Sequence, residues 1–258
     1  MSIGKFDIDS KALAIRIETH KKYGSADLNE WIFNHLKPRE GECVLELGSG
    51  TGKQTLPIAR MVGKEGRVVA VDASKDSMDA LLKVADDMKV KDRIIPFVAN
   101  FDEIGEHIRK FNFDRVLASY SIYYARDCKK VLELIHGIMN PNGVFFFCGP
   151  SSKNNMELIN FHYGLLGRNA SESYPAPVLF MEKLGQALAK SIFKKVDAFT
   201  FENILRIDSS KALYDYWKSY NLYDEKIDKE FNKAAVEHFK THEFFETVKR
   251  AIGVRAIK

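Results

Sequence analysis

A chain of 258 residues, 45% hydrophobic and 29% charged, is long enough to bury a complete core in one domain and has too little polar tract to stay disordered. Its 39 basic and 35 acidic side chains leave a formal charge of only +4 and are interleaved along the chain, which argues against a nucleic-acid partner. The seven histidines show no His-Glu-x-x-His pattern and Cys43, Cys128 and Cys148 are isolated, so no metal site and no disulfide framework is expected, and reduced thiols fit a cytoplasmic protein.

From the amino terminus, MSIGKFDIDS is polar and lacks the apolar centre of a secretion signal, and no later run reaches the ~18 apolar residues of a membrane span. No membrane partner is expected. Apolar residues at helical spacing predict two leading helices, from Ile8 to Tyr23 and from Ala26 to Lys37, separated at Tyr23-Gly24-Ser25. Pro38 ends the second, and Cys43-Val44-Leu45-Glu46-Leu47 reads as the first strand. Short β-rich runs follow at 67–72, 93–99, 113–119 and 143–148, with helical stretches near 52–62, 75–88, 102–110 and 127–139. This alternation predicts a doubly wound α/β fold with parallel strands and right-handed crossovers. Ligands bind such sheets beyond the carboxyl ends of the strands, here the loops after Leu47, Val71, Ala99 and Ala118. After Gly149-Pro150 come a polar stretch, a helix near 178–192, a β-rich run from Val196 to Ile207, and helices near 210–220 and 228–240. An extended piece from Phe244 to Ile257 closes the chain, without internal repeats.

The most informative stretch is Glu46-Leu47-Gly48-Ser49-Gly50-Thr51-Gly52, which leaves a predicted strand and enters a predicted helix. Glycines let the backbone turn sharply and approach a ligand, and the following helix offers unpaired N–H groups to an anion. A tight strand-to-helix turn without ligand is the alternative. The next strand ends in Val69-Ala70-Val71-Asp72, which sets a carboxylate 20 residues past Gly52. It is suited to accept hydrogen bonds from both ribose hydroxyls of an adenosine ligand, or to cap a helix.

Glu46-x-Gly48-x-Gly50-x-Gly52 after Val44-Leu45 resembles the first motif of class I S-adenosylmethionine-dependent methyltransferases of the small-molecule type, and Asp72 resembles the acidic residue of the second. Val98-Ala99-Asn100-Phe101-Asp102 looks like the adenine-contacting loop, Phe113 to Ser119 like the fourth-strand motif, and Met139 to Val144 like the approach to the fifth strand. The resemblance spans residues 40–150 in order. It implies a Rossmann-like, seven-stranded, mostly parallel sheet with an antiparallel last strand. The runs after Val196 and Phe244 would be its last two strands, with helical lid insertions. Residues 1–40 would form part of the lid, 41–150 the cofactor-binding core, and 151–258 the substrate-side helices and last strands of the same domain; Ser151 to Ala176 would help close the pocket.

The resemblance also implies S-adenosylmethionine as cofactor and in-line transfer of its methyl group to a small molecule. Gly48, Ser49, Gly50 and Gly52 would face its methionine part with Glu46 beneath, Asp72 and Ala73 would lie at the ribose, Asn100 and Phe101 at the adenine, and Ser119 and Tyr120 beside the methionine end. Asn100 stands where many relatives carry aspartate, and its carbonyl can still accept a bond from the adenine amine. For a hydroxyl acceptor, His162 is the candidate general base and Tyr124 a second catalytic candidate, with a structural histidine as the alternative. Tyr23, Tyr123 and Asn155 are candidate substrate contacts; an aromatic cluster is equally read as core, and Asn155 as a helix cap. Ser119-Tyr120-Ser121-Ile122 replaces the Asn-Pro-Pro-Tyr type motif of base methylases. The spacing Gly-x-Gly-x-Gly differs from the dinucleotide fingerprint, but a nicotinamide-dependent oxidoreductase and a catalytically silent cofactor binder share these features. Neither the methyl-accepting atom nor the oligomeric state is written in the sequence.

Overall fold

The computed structural model describes residues 10–170 and 174–258. In chain order its elements are α1 (Ser10–Tyr23), α2 (Leu28–Leu36), β1 (Cys43–Leu47), α3 (Thr55–Met61), β2 (Arg67–Asp72), α4 (Lys75–Asp87), β3 (Ile94–Val98), α5 (Gly105–Ile108), β4 (Phe113–Ser119), α6 (Cys128–Ile138) and β5 (Met139–Pro150). There follow α7 (Met156–Leu165), α8 (Ala176–Leu179), α9 (Gly185–Ile192), β6 (Lys195–Ile207), α10 (Ser210–Lys218), α11 (Asp228–His238) and β7 (Phe245–Ile257). Ile8 and Asp9 of the expected first helix, and residues 171–173 of the stretch expected over the pocket, lie outside the described residues. No helix among the described residues is long and apolar enough to cross a membrane.

Among the described residues the strands form one seven-stranded sheet in the order β3-β2-β1-β4-β5-β7-β6. β1 pairs in parallel with β2 and β4, β2 with β3, and β4 with β5, while the last strand is antiparallel. From β1 the chain builds outward to β3, then returns to place β4 on the other side of β1. The strand order therefore reverses between β1 and β4, which opens a crevice at their carboxyl ends. Strands covered on both faces are near-continuous apolar runs: Val44, Leu45 and Leu47 of β1 and Val68 to Val71 of β2 are buried without alternation, and the buried Glu46 is the one charged side chain among them. The helices covering them follow local rules. Ser74 caps α4 by accepting the Ser77 N–H at 3.2 Å, and Met78, Leu81 and Ala85 form its buried stripe. In α6, Val131, Leu132, Ile135 and Ile138 do the same behind an Asp127 cap.

The fifth strand starts at Met139, before the expected 143. Phe113 faces Met139 and Arg115 faces Val144, so Asn140 to Gly143 bulge out opposite Asp114. The Asp114 carboxylate holds the bulge, taking the Asn140 Nδ2 proton at 2.7 Å and the Cys43 N–H at 2.9 Å. At the far end of β5, Glu182 Oε1 accepts from Ser151 Oγ at 3.0 Å and from Ser152 N and Oγ at 2.7 Å. Glu182 lies in a π-helical turn, Phe180 to Leu184, that joins α8 to α9.

The described residues fall into two compact units that do not follow chain order. One is made of Asn29–Ser152, Pro175–Thr200 and Ile252–Lys258, and holds a core including Leu45, Val69, Val116, Phe145, Phe147 and Phe180. The other takes the stretch ending at Leu28 together with Lys153–Tyr174 and Phe201–Ala251. Its core is aromatic: Trp217 stacks on Phe231 at 3.9 Å between centroids, with Tyr216, Leu158, Leu205 and Phe245 buried around them.

Candidate active site

In the first unit the glycine loop begins where β1 ends, with the N–H groups of Gly48 and Ser49 both donating to the Val71 carbonyl, at 2.8 and 3.0 Å. Gly48 is required by space and by backbone. Its φ is +77°, and a Cβ there would stand 2.3 Å from Cβ of Ser121, whose hydroxyl donates to the Leu47 carbonyl at 2.6 Å. The ring of Phe101 comes within 3.7 Å of the same point. Gly50, at φ +51°, has nothing within 4 Å of its Cβ position, so this side of the loop is open. Its N–H donates to Asp72 Oδ2 at 2.7 Å, and the other oxygen of Asp72 takes the Ser74 N–H at 2.8 Å. Asp72 thus ties the loop to the end of β2 and stands half-buried beside it, with Ala73 exposed next to it.

Two polar atoms here have no partner among the described residues. Glu46, fully buried on β1, accepts the Thr55 hydroxyl on Oε2 at 2.5 Å, but its Oε1 is unbonded, as is the buried Ser49 Oγ. Buried polar atoms are normally paired, so each of these calls for a partner that the described residues do not supply. Burial, the larger cause, and the nearby negative charge of Asp72 push the Glu46 carboxyl up to about 8 against the opposing Thr55 bond.

The loops after β3 and β4 extend the same region. Asn100 is exposed and Phe101 half-buried. Ser119 accepts the Cys148 thiol proton at 3.6 Å, and Tyr120 turns left-handed at φ +55°, held by its N–H on the Cys148 carbonyl at 2.8 Å. Only a sharp break at the strand end puts a tyrosine in that conformation. Tyr123 is buried against Gly149, where a Cβ would stand 2.7 Å from its ring, whereas Tyr124 is 45% exposed.

Tyr23, Asn155 and His162 belong to the second unit. Tyr23 donates its hydroxyl to Asp208 at 2.8 Å. His162 is buried in the aromatic core, and its Nδ1 accepts the Trp217 indole N–H at 3.2 Å. Burial, above all, lowers its pKa. A ring so engaged orders the core around Trp217. Asn155 is buried at the start of α7, but its side chain makes no capping bond. Sequence reasoning passed over Ser121 and Thr55; a small hydroxyl residue after a strand end, and a threonine where a helix starts, were the available signals.

A methyltransferase-domain model matches residues 38–196. The ubiquinone/menaquinone biosynthesis C-methyltransferase UbiE of Marinomonas sp. (strain MWYL1) is 30% identical over 121 residues, covering 45% of this chain and 46% of that protein. The cypemycin N-terminal methyltransferase of a Streptomyces species is 30% identical over 129 residues, covering 47% and 46%. This chain thus spans less than half the length of these curated relatives. The crystal structure of the YcgJ protein from Bacillus subtilis superposes with a TM-score of 0.58 at 15% identity, over 89% of this chain and 97% of that one, a likeness of fold.

Proposed function

The chain belongs to the methyltransferase-domain family, and from that premise we propose that it transfers a methyl group from S-adenosylmethionine to a small-molecule acceptor by in-line displacement. The observation that carries this reading is the pair of unpartnered buried atoms, Glu46 Oε1 and Ser49 Oγ, at a loop whose Gly50 side is open. An amino-acid moiety has the donors and acceptors to complete both.

When bound, the cofactor supplies an electrophilic methyl on a sulfonium, so little chemistry is left for the protein beyond alignment and exclusion of water. Holding the partners ~3 to 3.5 Å apart lowers the barrier by ~7 to 11 kcal/mol relative to a dilute encounter. Gly48 and Gly50 let the backbone pass close to the methionine part, and Gly52 completes the turn. Asp72, already positioned by the Gly50 and Ser74 N–H groups, keeps lone pairs for ribose hydroxyls. Phe101 offers its face and Asn100 a side-chain carbonyl to the adenine, with Ala73 at the ribose edge. Ser119 and Tyr120 line the methionine end, and Tyr123 and Tyr124 follow on the acceptor side. His162 has no part as a base in this reading, because its Nδ1 is taken by Trp217. The two relatives named above differ in their printed acceptors, a carbon and an amino terminus, and the accepting atom here is left to experiment. A cytoplasmic location is supported by three free thiols.

The test is transfer of label from methyl-labelled S-adenosylmethionine to a panel of phenols, amines, carboxylates and thiols. A labelled product with equimolar S-adenosylhomocysteine is expected. Cofactor binding without transfer to any class would contradict the catalytic reading.

A further inference from the structure

We propose that the chain pairs with a second copy of itself along the exposed edge of β6, by antiparallel strand addition centred on Ala198. This pairing does not depend on the methyl-transfer reading above.

β6 is the last strand of the sheet, so its outer side meets no other strand. Such an edge offers a row of backbone donors and acceptors, and proteins commonly cover or interrupt it. The opposite edge, β3, is interrupted by Pro96 in its middle, which has no N–H to offer. In the second unit the carboxyl half of β6 is covered by the chain itself. Gly24 bridges Leu205, the Ser25 N–H donates to the Ile204 carbonyl at 3.1 Å, and the Ile204 N–H donates to Ser25 Oγ at 3.0 Å. Asn203 Oδ1 closes this half by accepting the N–H groups of Ser25 and Ala26 at 2.7 and 3.0 Å. Backbone groups alternate in direction along a strand, and Ile204 turns both of its groups outward, so Thr200, Ala198 and Val196 do the same. These three lie in the amino half, residues 195–200 of the first unit, which contains no proline. Their outward groups have no backbone partner among the described residues.

Side chains of the first unit hold this half in place before any partner arrives. Asp197 accepts from Arg255 Nη2 at 2.8 Å, and the Arg255 guanidinium lies 5.2 Å from the centroid of the Phe199 ring. His35 packs edge-on against the same ring at 4.1 Å. Ala198 and Thr200 stay exposed. The stretch is complementary to itself. Antiparallel pairing about a two-fold axis at Ala198 uses all three outward residues: Ala198 faces Ala198 of the second copy, and Val196 faces Thr200 of the second copy in both directions. Asp197 then falls opposite Phe199, and neither Lys195 nor Asp197 meets its own like charge, which would oppose pairing. Each copy's seven-stranded sheet continues into the other across this seam.

Sedimentation equilibrium of the full chain between ~1 and ~500 µM is expected to show a reversible monomer–dimer equilibrium, weak because the seam is small. Ala198→Pro removes an outward N–H and no bond of the chain's own sheet, and should weaken the dimer at least tenfold. Ala198→Lys and Ala198→Asp each set like charges face to face, and each should be monomeric over the same range. An equimolar mixture of these two should dimerise again, because opposite charges then meet across the axis. Both substitutions fall at an exposed position, and unchanged circular dichroism and melting separate loss of pairing from loss of fold. They decide the question if Ala198→Pro does not fold. A wild type that stays monomeric throughout, or a dimer that the folded variants leave intact, overturns the proposal. A mixture no more dimeric than its two components overturns it as well.

Discussion

Glu46→Gln isolates the electrostatics of the glycine loop. The side chain is fully buried, one oxygen accepts the Thr55 hydroxyl, the other has no partner, and the carboxyl titrates at about 8. Because this is above its ordinary value of 4.5, the folded state holds the proton more tightly than the unfolded chain. The stabilisation from the neutral acid is complete below pH 4.5 and is lost as pH rises toward 8. A difference of 8 − 4.5 units corresponds to roughly 5 kcal/mol at most, at about 1.4 kcal/mol per unit. Glutamine has the shape of the protonated acid and keeps an acceptor for Thr55, but does not titrate. Urea unfolding of the ligand-free protein at pH 5, 6.5 and 8.5 should therefore show wild-type stability falling by several kcal/mol more than that of the variant. A cationic ligand at Oε1 reverses the preference by favouring the carboxylate. Calorimetry near pH 7 in buffers of different ionisation enthalpy should thus detect proton release on cofactor binding by the wild type and less by Glu46→Gln. Parallel pH dependences of wild type and variant would refute the assignment of a neutral buried acid.

Asp72→Ala removes the ribose acceptor together with the anchor of the Gly50 N–H, and should weaken S-adenosylhomocysteine by at least ~1 kcal/mol, read by calorimetry. Unchanged affinity would take Asp72 out of the site. Gly48→Ala drives a methyl to 2.3 Å from Cβ of Ser121 at a backbone angle that favours glycine, and should destabilise by ~2 kcal/mol or more in urea. Adding Ser121→Gly should recover only the steric part, since the left-handed φ remains.

The glycine loop and Asp72 were legible because a left-handed turn and a strand-end carboxylate leave a mark at fixed spacing. The strand and helix pattern was likewise legible in the unbroken apolar runs of β1 and β2 and the buried stripes of α4 and α6. The start of β5 was not: Met139-Asn140-Pro141-Asn142-Gly143 has the composition of a turn, and only the distant Asp114 carboxylate makes it a bulged strand. Asn155 could be read from sequence as a helix start, but not as a side chain turned to Tyr216, 61 residues away. The same holds for His162, whose partner Trp217 is 55 residues on, and for Ser121 against Gly48. Local pattern marks elements and turns; the partner that decides a buried polar group's role comes from elsewhere in the chain.

The central claim is a glycine-loop site for S-adenosylmethionine, and parallel calorimetric titration with S-adenosylmethionine, S-adenosylhomocysteine and NAD tests it most directly. The account predicts saturable one-to-one binding of the first two, weakened by Asp72→Ala, and no binding of NAD. Binding of NAD alone would contradict it.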